Sequence, residues 1–152
     1  MKVLVQRVSR AAVRVDGQTV GEIGRGLLVF LGVERTDTDE LADWYARRVA
    51  ALRLFPGPSG EAWELGVADA GGAVLAVSQF TLAARTRKGR RPSFDPAAPP
   101  EQAEPIYQRF CATLRAEGVK VAEGRFRAMM AVELVNDGPV TFLVDGPEVP
   151  RR

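Results

Sequence analysis

A chain of 152 residues with 46% apolar and 26% charged residues has the size and make-up of one globular domain with a core of its own. It contains no histidine and a single cysteine, Cys111, which excludes Ser-His-Asp and Cys-His catalysis within the chain, an internal disulfide framework and a cysteine-based zinc site. The formal net charge is +2, so strong electrostatic recognition must come from local clustering of charge.

Residues 2–8 and 11–15 alternate apolar and polar side chains in the manner of strands. The opening MKVLVQRVSRAAV lacks the uninterrupted apolar run of a signal peptide, and no segment is long enough to span a bilayer. A cytoplasmic protein is therefore expected. Asp16-Gly17 suggests a turn, with residues 19–23 returning as a strand. GRGLLVFLGV then reads as a strand buried on both faces. The period changes in TDTDELADWYARRVAALRLF. Thr36 with Asp39, or Asp37 with Glu40, would make a capping box, and Leu41, Trp44, Tyr45, Arg48, Val49 and Leu52 trace a helical stripe.

PGPSGEAW is a loop by composition, with Trp63 expected to re-enter the core. GGAVLAVSQFTLAA reads as a strand leading into RTRKGRRPSF. That loop carries Arg85, Arg87, Lys88, Arg90 and Arg91 with no acid among them. It suits either a solvated face or a run of phosphates. A proline-rich connector precedes a second helix, whose apolar face is Ile106, Tyr107, Phe110, Cys111 and Leu114, and Gly118 stops it. Cys111 is expected as a small buried hydrophobe. Residues 119–144 are strand-like again. Within them LVNDGPVTFLVDG breaks the pattern at Asn136, Asp137, Gly138 and Pro139. Asp-Gly there reads as a hairpin turn, and the rival reading is a Gly-Pro pair presented at the tip of two strands. The order strands, helix, strand, helix, strands predicts a single α/β domain of the α+β type, a mostly antiparallel sheet or open β-barrel with two main helices.

Chemistry without histidine must use backbone dipoles, hydroxyls, carboxylates or a group on the substrate. Ser78, Gln79, Phe80 and Thr81 stand where a buried strand runs out into the basic loop, so polar groups there stay accessible on a rigid support. Ser78 and Thr81 have no base beside them in sequence, and a hydroxyl without a base is a poor nucleophile at neutral pH. Backbone amides of this stretch could instead hold an oxyanion.

Two segments, SQFTL at 78–82 and NDGPVT at 136–141, together with QRVSRAAVRVDG, GEIGRGLLVFLGV, KGRRPSF and EGRF, closely resemble the D-aminoacyl-tRNA deacylases, also called D-tyrosyl-tRNA deacylases. The resemblance covers nearly all of residues 1–143 in order. It implies a domain at 1–145 with the fold of that family and a C-terminal tail at 146–152. It further implies a homodimer with shared active sites, acting on D-aminoacyl-tRNA; no cofactor is expected, and without clustered ligands in the sequence no metal is expected either. The terminal adenosine would lie beside Ser78, Gln79, Phe80 and Thr81. In that family the Gly-Pro peptide is cis and enters the active site of the partner subunit. Gly138, Pro139 and Asn136 would then reject L side chains while admitting D-residues and glycine. Hydrolysis would be assisted by the ribose 2′-hydroxyl. Arg87, Lys88, Arg90 and Arg91 would meet acceptor-end phosphates. The chain departs from the family at Trp63 and Glu64, and at Arg127 and Met129. Phe126, Met129 and Met130 read as core or dimer-contact residues rather than as ligands for adenine. The rival readings are a non-catalytic RNA-binding dimer of the same fold and a histidine-free esterase for small D-amino-acid esters.

Overall fold

A computed structural model describes residues 1–148. The two alternating stretches at the start join into one strand, β1 (Lys2–Val15). Val3 and Val5 belong to one apolar cluster, whereas Val8, Ala11 and Val13 belong to another. Unbroken alternation would keep residues 3, 5, 11 and 13 on one face. The pairing of β1 with the last strand shifts register between Val8 and Arg10, and the extra residue turns the strand over. Exposed Ser9 and Arg10 mark the switch.

After the Asp16-Gly17 turn, β2 (Gln18–Ile23) pairs antiparallel with the second half of β1. The strand β3 (Gly26–Gly32) pairs antiparallel with the first half. Its apolar run divides as a strand covered on both faces requires: Leu27, Val29 and Leu31 join the first cluster and Leu28 the second. Two further strands add in parallel, each after a helix. They are β4 (Ala73–Ser78), following α1 (Asp39–Ala51), and β5 (Lys120–Glu123), following α2 (Pro100–Ala116). Finally β6 (Ala131–Leu143) runs antiparallel along the other edge of β1. The order is β2-β1-β3-β4-β5, with β6 on β1. The three pairings of β1 are antiparallel and the other two parallel.

The ends of this path nearly meet. A Cβ on Gly21 of β2 would lie 2.2 Å from the carbonyl oxygen of Glu123 on β5, so glycine is what lets the barrel draw closed. The second cluster, drawn from the strands and Met130, fills the barrel. The first lies between its outer face and the two helices. Each fully buried Leu or Val in them contributes on the order of 1.5–3 kcal/mol.

The helix α1 is capped by Thr38, whose hydroxyl accepts from the N–H of Leu41 at 3.3 Å, and not by Thr36 or Asp37. Asp37 is engaged elsewhere: its carboxylate binds the Met1 ammonium at 2.7 Å and the Glu34 N–H at 2.7 Å. The buried face of α1 is Ala42, Asp43, Tyr45, Ala46 and Val49, and Arg48 of the expected stripe is exposed. Arg109 of α2 donates two hydrogen bonds of 2.7 Å to the Asp43 carboxylate, and the Thr113 hydroxyl donates a third. These bonds hold Asp43 ionised well below the usual carboxylate range and tie the two helices together. In α2 the face Ile106, Tyr107, Phe110, Cys111 and Leu114 is buried as the period predicts. Burial pushes the Cys111 thiol up to about 12, which makes it inert at neutral pH.

Trp63 does not re-enter the core; it is 55% exposed. Leu65 takes that place, because the bridge between Phe55 and Leu65 turns the chain inward two residues later. After β6 the Val144 N–H closes on the Val3 carbonyl at 2.9 Å. Residues 145–148 are exposed, with Gly146 against the Tyr45 hydroxyl, and positions 149–152 of the expected tail lie outside the described residues. Among the described residues no helix is long and apolar enough to cross a membrane.

Candidate active site

The strand expected to run through residues 71–84 stops at Ser78, the last residue of β4. Gln79 still bonds sideways, its N–H to the Leu31 carbonyl at 2.8 Å. The chain then folds into a single 3₁₀ turn, Phe80–Ala83. Gly32 of β3 makes room for this turn, since a Cβ there would lie 2.9 Å from Leu82 Cβ and 3.0 Å from the Gln79 carbonyl oxygen. The turn's internal bonds begin with the Leu82 N–H on the Gln79 carbonyl at 3.2 Å. The N–H groups of Phe80 and Thr81, one step earlier, have no acceptor among the described residues. Such open donors are what a helical N-terminus leaves. The Gln79 side-chain amide donates to the Thr81 hydroxyl.

Ser78, Gln79, Phe80 and Thr81 together form one wall of a cleft of about 670 Å³. Pro100 and Ala103 from the start of α2 form a second wall, and Phe126 to Met130, with Val132 of β6, a third. Sequence reasoning missed this third wall. Phe126 packs on Tyr107 with ring centroids 6.1 Å apart, and Met130 touches the barrel core, so both also serve packing. Met129 is 92% exposed at the mouth. Arg127 sits at a φ of 62° in the turn between them. The sequence signal there was misleading, because Phe126, Met129 and Met130 stand at i, i+3 and i+4, the helix spacing, in a stretch that forms a turn. Among the described residues no group of three or more His, Cys, Asp or Glu side chains could hold a metal ion.

Residues 136–139 form no hairpin and no strand tip. Both flanks of the segment pair with the same strand, Gln6 with Thr141 and Val8 with Asn136. One residue of β1, Arg7, thus lies opposite four of β6, residues 137–140, and the surplus is pushed out as a bulge. The Gly138-Pro139 peptide bond is cis, and Val135 through Pro139 are exposed. The Asn136 amide donates to the carbonyls of Arg7 and Val140 at 2.8 and 3.1 Å, closing the base of the bulge. Arg7 grips Asp137 through its carbonyl at 3.3 Å and its carboxylate at 3.1 Å, and donates to the Leu54 carbonyl at 2.7 Å. None of Asn136, Gly138 and Pro139 lines the cleft of their own chain.

The basic loop is closed at its neck by paired backbone bonds between Arg85 and Ser93, of 2.8 and 3.0 Å. Arg85, Arg87, Lys88, Arg90 and Arg91 are all exposed, and none has an ion-pair partner among the described residues. Arg85, Arg87 and Lys88 line a second hollow of about 660 Å³ with Ala84, Thr86, Ser93 and Asp95. The Phe80 and Phe94 rings meet edge to face at 5.3 Å, which joins the turn to the loop.

The family model described as D-Tyr-tRNA(Tyr) deacylase matches residues 4–145. The chain belongs to the D-aminoacyl-tRNA deacylase family. It is 57% identical over 145 residues to a D-aminoacyl-tRNA deacylase of Symbiobacterium thermophilum, covering 95% of each chain. Among solved structures it is similar to a c-Myc DNA unwinding element binding protein, with a TM-score of 0.89, 41% identity and coverage of 97% and 100%. A probable eukaryotic D-amino acid tRNA deacylase shares the fold at a TM-score of 0.80 and 20% identity, with coverage of 94% and 97%. Membership makes the chain a hydrolase, and the deacylase family supports D-aminoacyl-tRNA deacylase activity with an aminoacyl-tRNA substrate.

Proposed function

We propose that the chain hydrolyses D-aminoacyl-tRNA in the cleft beside Ser78, with the chemistry carried by the unpaired N–H groups of Phe80 and Thr81. The terminal adenosine lies against the apolar wall of Phe126, Met129 and Met130, all of which line the cleft. Water oriented by the ribose 2′-hydroxyl adds to the ester carbon. The carbonyl oxygen takes up negative charge facing the two N–H groups. The bond to the ribose oxygen then breaks, and that oxygen leaves with the proton from water. A chain without histidine favours this route, because backbone donors stabilise developing charge without accepting a proton. Thr81, whose hydroxyl accepts from Gln79, helps to hold the turn and is not the nucleophile.

The cleft is one half of the selective site in this proposal. The bulge is exposed and does not line its own cleft, so Gly138 and Pro139 enter the cleft of a second copy in a homodimer. There they block an L side chain and leave room for a D side chain or glycine. Asn136 acts by closing the base of the bulge. Arg87, Lys88, Arg90 and Arg91 meet phosphates of the acceptor end, and the enzyme works in the cytoplasm.

Paired deacylation of D-tyrosyl-tRNA and L-tyrosyl-tRNA at matched low salt tests this reading. The D-ester should disappear with the L-ester intact. Cleavage of both would remove the chiral filter. Cleavage of neither, with tRNA still bound, would favour a non-catalytic nucleic-acid-binding protein, the activity that the name of one structural relative carries. Activity insensitive to salt would favour a small-ester hydrolase.

A further inference from the structure

The hollow beside the basic loop is separate from the cleft but adjoins it through one aromatic contact. Phe80 stands in the wall of the cleft, and its ring meets Phe94 at 5.3 Å. Phe94 in turn lies between Ser93 and Asp95, both in the wall of the hollow. The two spaces are thus neighbours across an aromatic step, and a chain leaving the cleft over that step arrives among Arg85, Arg87 and Lys88.

We infer that this hollow is a second nucleotide subsite, which takes the phosphodiester and base of the nucleotide preceding the terminal adenosine. The inference rests on the reading of the cleft above. Three features select a phosphodiester. The cations have no competing partner among the described residues. Their stem is fixed, because Arg85 and Ser93 exchange backbone bonds of 2.8 and 3.0 Å. Gly89, at a φ of 77°, turns the tip of the loop just after Arg87 and Lys88, which line the hollow. The one acid in the wall, Asp95, is held by the Ser93 hydroxyl at 2.6 Å and by its N–H to Ser93 Oγ at 3.4 Å. The aromatic step gives the base its partner: Phe80 is 56% exposed, and the Phe80–Phe94 pair offers an apolar surface on which any base can stack. This surface carries no hydrogen-bonding pattern for a particular base, as suits an enzyme that meets many tRNAs. Arg85 thereby acquires a role that the sequence did not separate from the rest of the loop. It sits at the rigid neck, whereas Arg90 and Arg91 lie beyond Gly89 and outside the hollow.

The test compares D-tyrosyl-adenosine with D-tyrosyl-cytidylyl-(3′→5′)-adenosine as minimal substrates. The wild-type protein should cleave the dinucleotide ester with a kcat/KM about tenfold or more above that of the mononucleoside ester, the advantage residing in KM. In Arg85→Ala and in Phe94→Leu that ratio should collapse toward one. The dinucleotide reaction should become less sensitive to salt in Arg85→Ala, because screening acts on the lost Arg85–phosphodiester attraction. Lys120→Ala, a cation of β5 on a distant surface, controls for a change in the general field. Equal efficiency for the two substrates in the wild type would overturn the inference while leaving the cleft reading intact. A ratio that survives both substitutions, or that falls equally in Lys120→Ala, would overturn it as well. If neither ester is cleaved, the cleft reading fails and the subsite fails with it. Equilibrium competition by cytidylyl-(3′→5′)-adenosine against AMP supplies a readout independent of turnover, with the dinucleotide expected to bind more tightly only while Arg85 and Phe94 are present.

Discussion

The corner after Ser78 and the bulge after Asn136 both interrupt a strand, and they do so to opposite effect. At the corner the backbone leaves the sheet with two N–H groups open, and the residues that carry them line an apolar cleft. At the bulge the chain stays in the sheet, and side chains hold its base and Asp137. Asn136 bonds across its base and Arg7 clamps Asp137 to the Leu54 carbonyl. One region is unfinished and inward; the other is finished and outward. A reacting ester needs open donors, whereas a part that rejects the wrong shape needs only to be held still. In one chain the two do not meet, which is why the proposal calls for a second copy.

The sharpest way to break this comparison is to close the open end. Phe80→Pro removes one of the two N–H groups at the first residue of the turn, a position that proline suits. Single-turnover kcat on D-tyrosyl-tRNA should fall by about 10²–10³-fold, while Phe80→Leu, which keeps the N–H, falls far less. Thr81→Ala should cost less than about tenfold, because the proposed route gives its hydroxyl no part in the bond-making steps. Abolition of single-turnover activity with tRNA still bound would return Thr81 to the chemistry.

The next largest effect is expected from loosening the finished end. Arg7→Ala frees Asp137 and leaves the Leu54 carbonyl without its donor. The ratio of D- to L-tyrosyl-tRNA cleavage should drop, by up to about 10²-fold if the bulge moves by an ångström. Binding of AMP measured by calorimetry should stay at the wild-type level. Loss of AMP binding would mean that Arg7 supports the cleft as well, and the contrast between the regions would blur.

A third change lies in neither region and should leave both alone. The Asp43 carboxyl is depressed in the fold by Arg109 and Thr113. The stability of the ionised pair is therefore fully present above the ordinary carboxylate value and is lost as pH falls through the lower folded value. Wild-type protein should melt at steadily lower temperature below about pH 4, and Asp43→Asn should melt lower at pH 7 with a flatter acid limb. The smallest expected effect is that of Arg90→Ala and Arg91→Ala, each reducing the salt slope of tRNA binding by about one unit. A fluorescence titration across ionic strengths would measure it.

Much of the architecture was legible in the residues themselves. The apolar run of β3 and the buried face of α2 depend on local period, and both formed where the period put them. The features that escaped depend on distant partners. Thr38 caps α1 because Asp37 is claimed by the Met1 ammonium, 36 positions away. Residues 136–139 read as a hairpin because an Asp-Gly pair looks the same in a turn and in a bulge; the pairing of Gln6 with Thr141 and Val8 with Asn136 decides between them. Trp63 looked like core because it is large and apolar, but the Phe55–Leu65 bridge fixed which side chain turned in. Ser78, Gln79, Phe80 and Thr81 were readable as one wall of the cleft. Its opposite wall was not, since Phe126 and Met130 do double duty in packing.

The change of face along β1 has a consequence for how the molecule opens. One strand supplies Val3 and Val5 to the core under the helices and Val8, Ala11 and Val13 to the core inside the barrel. It is flanked on one side by β3 and then β2, and on the other by β6. Neither core can melt without withdrawing β1 from the other. Amide protons along both halves of that strand should therefore exchange with solvent through the same rare event, at the free energy of global unfolding. The two cores make up a single cooperative unit despite having separate interiors.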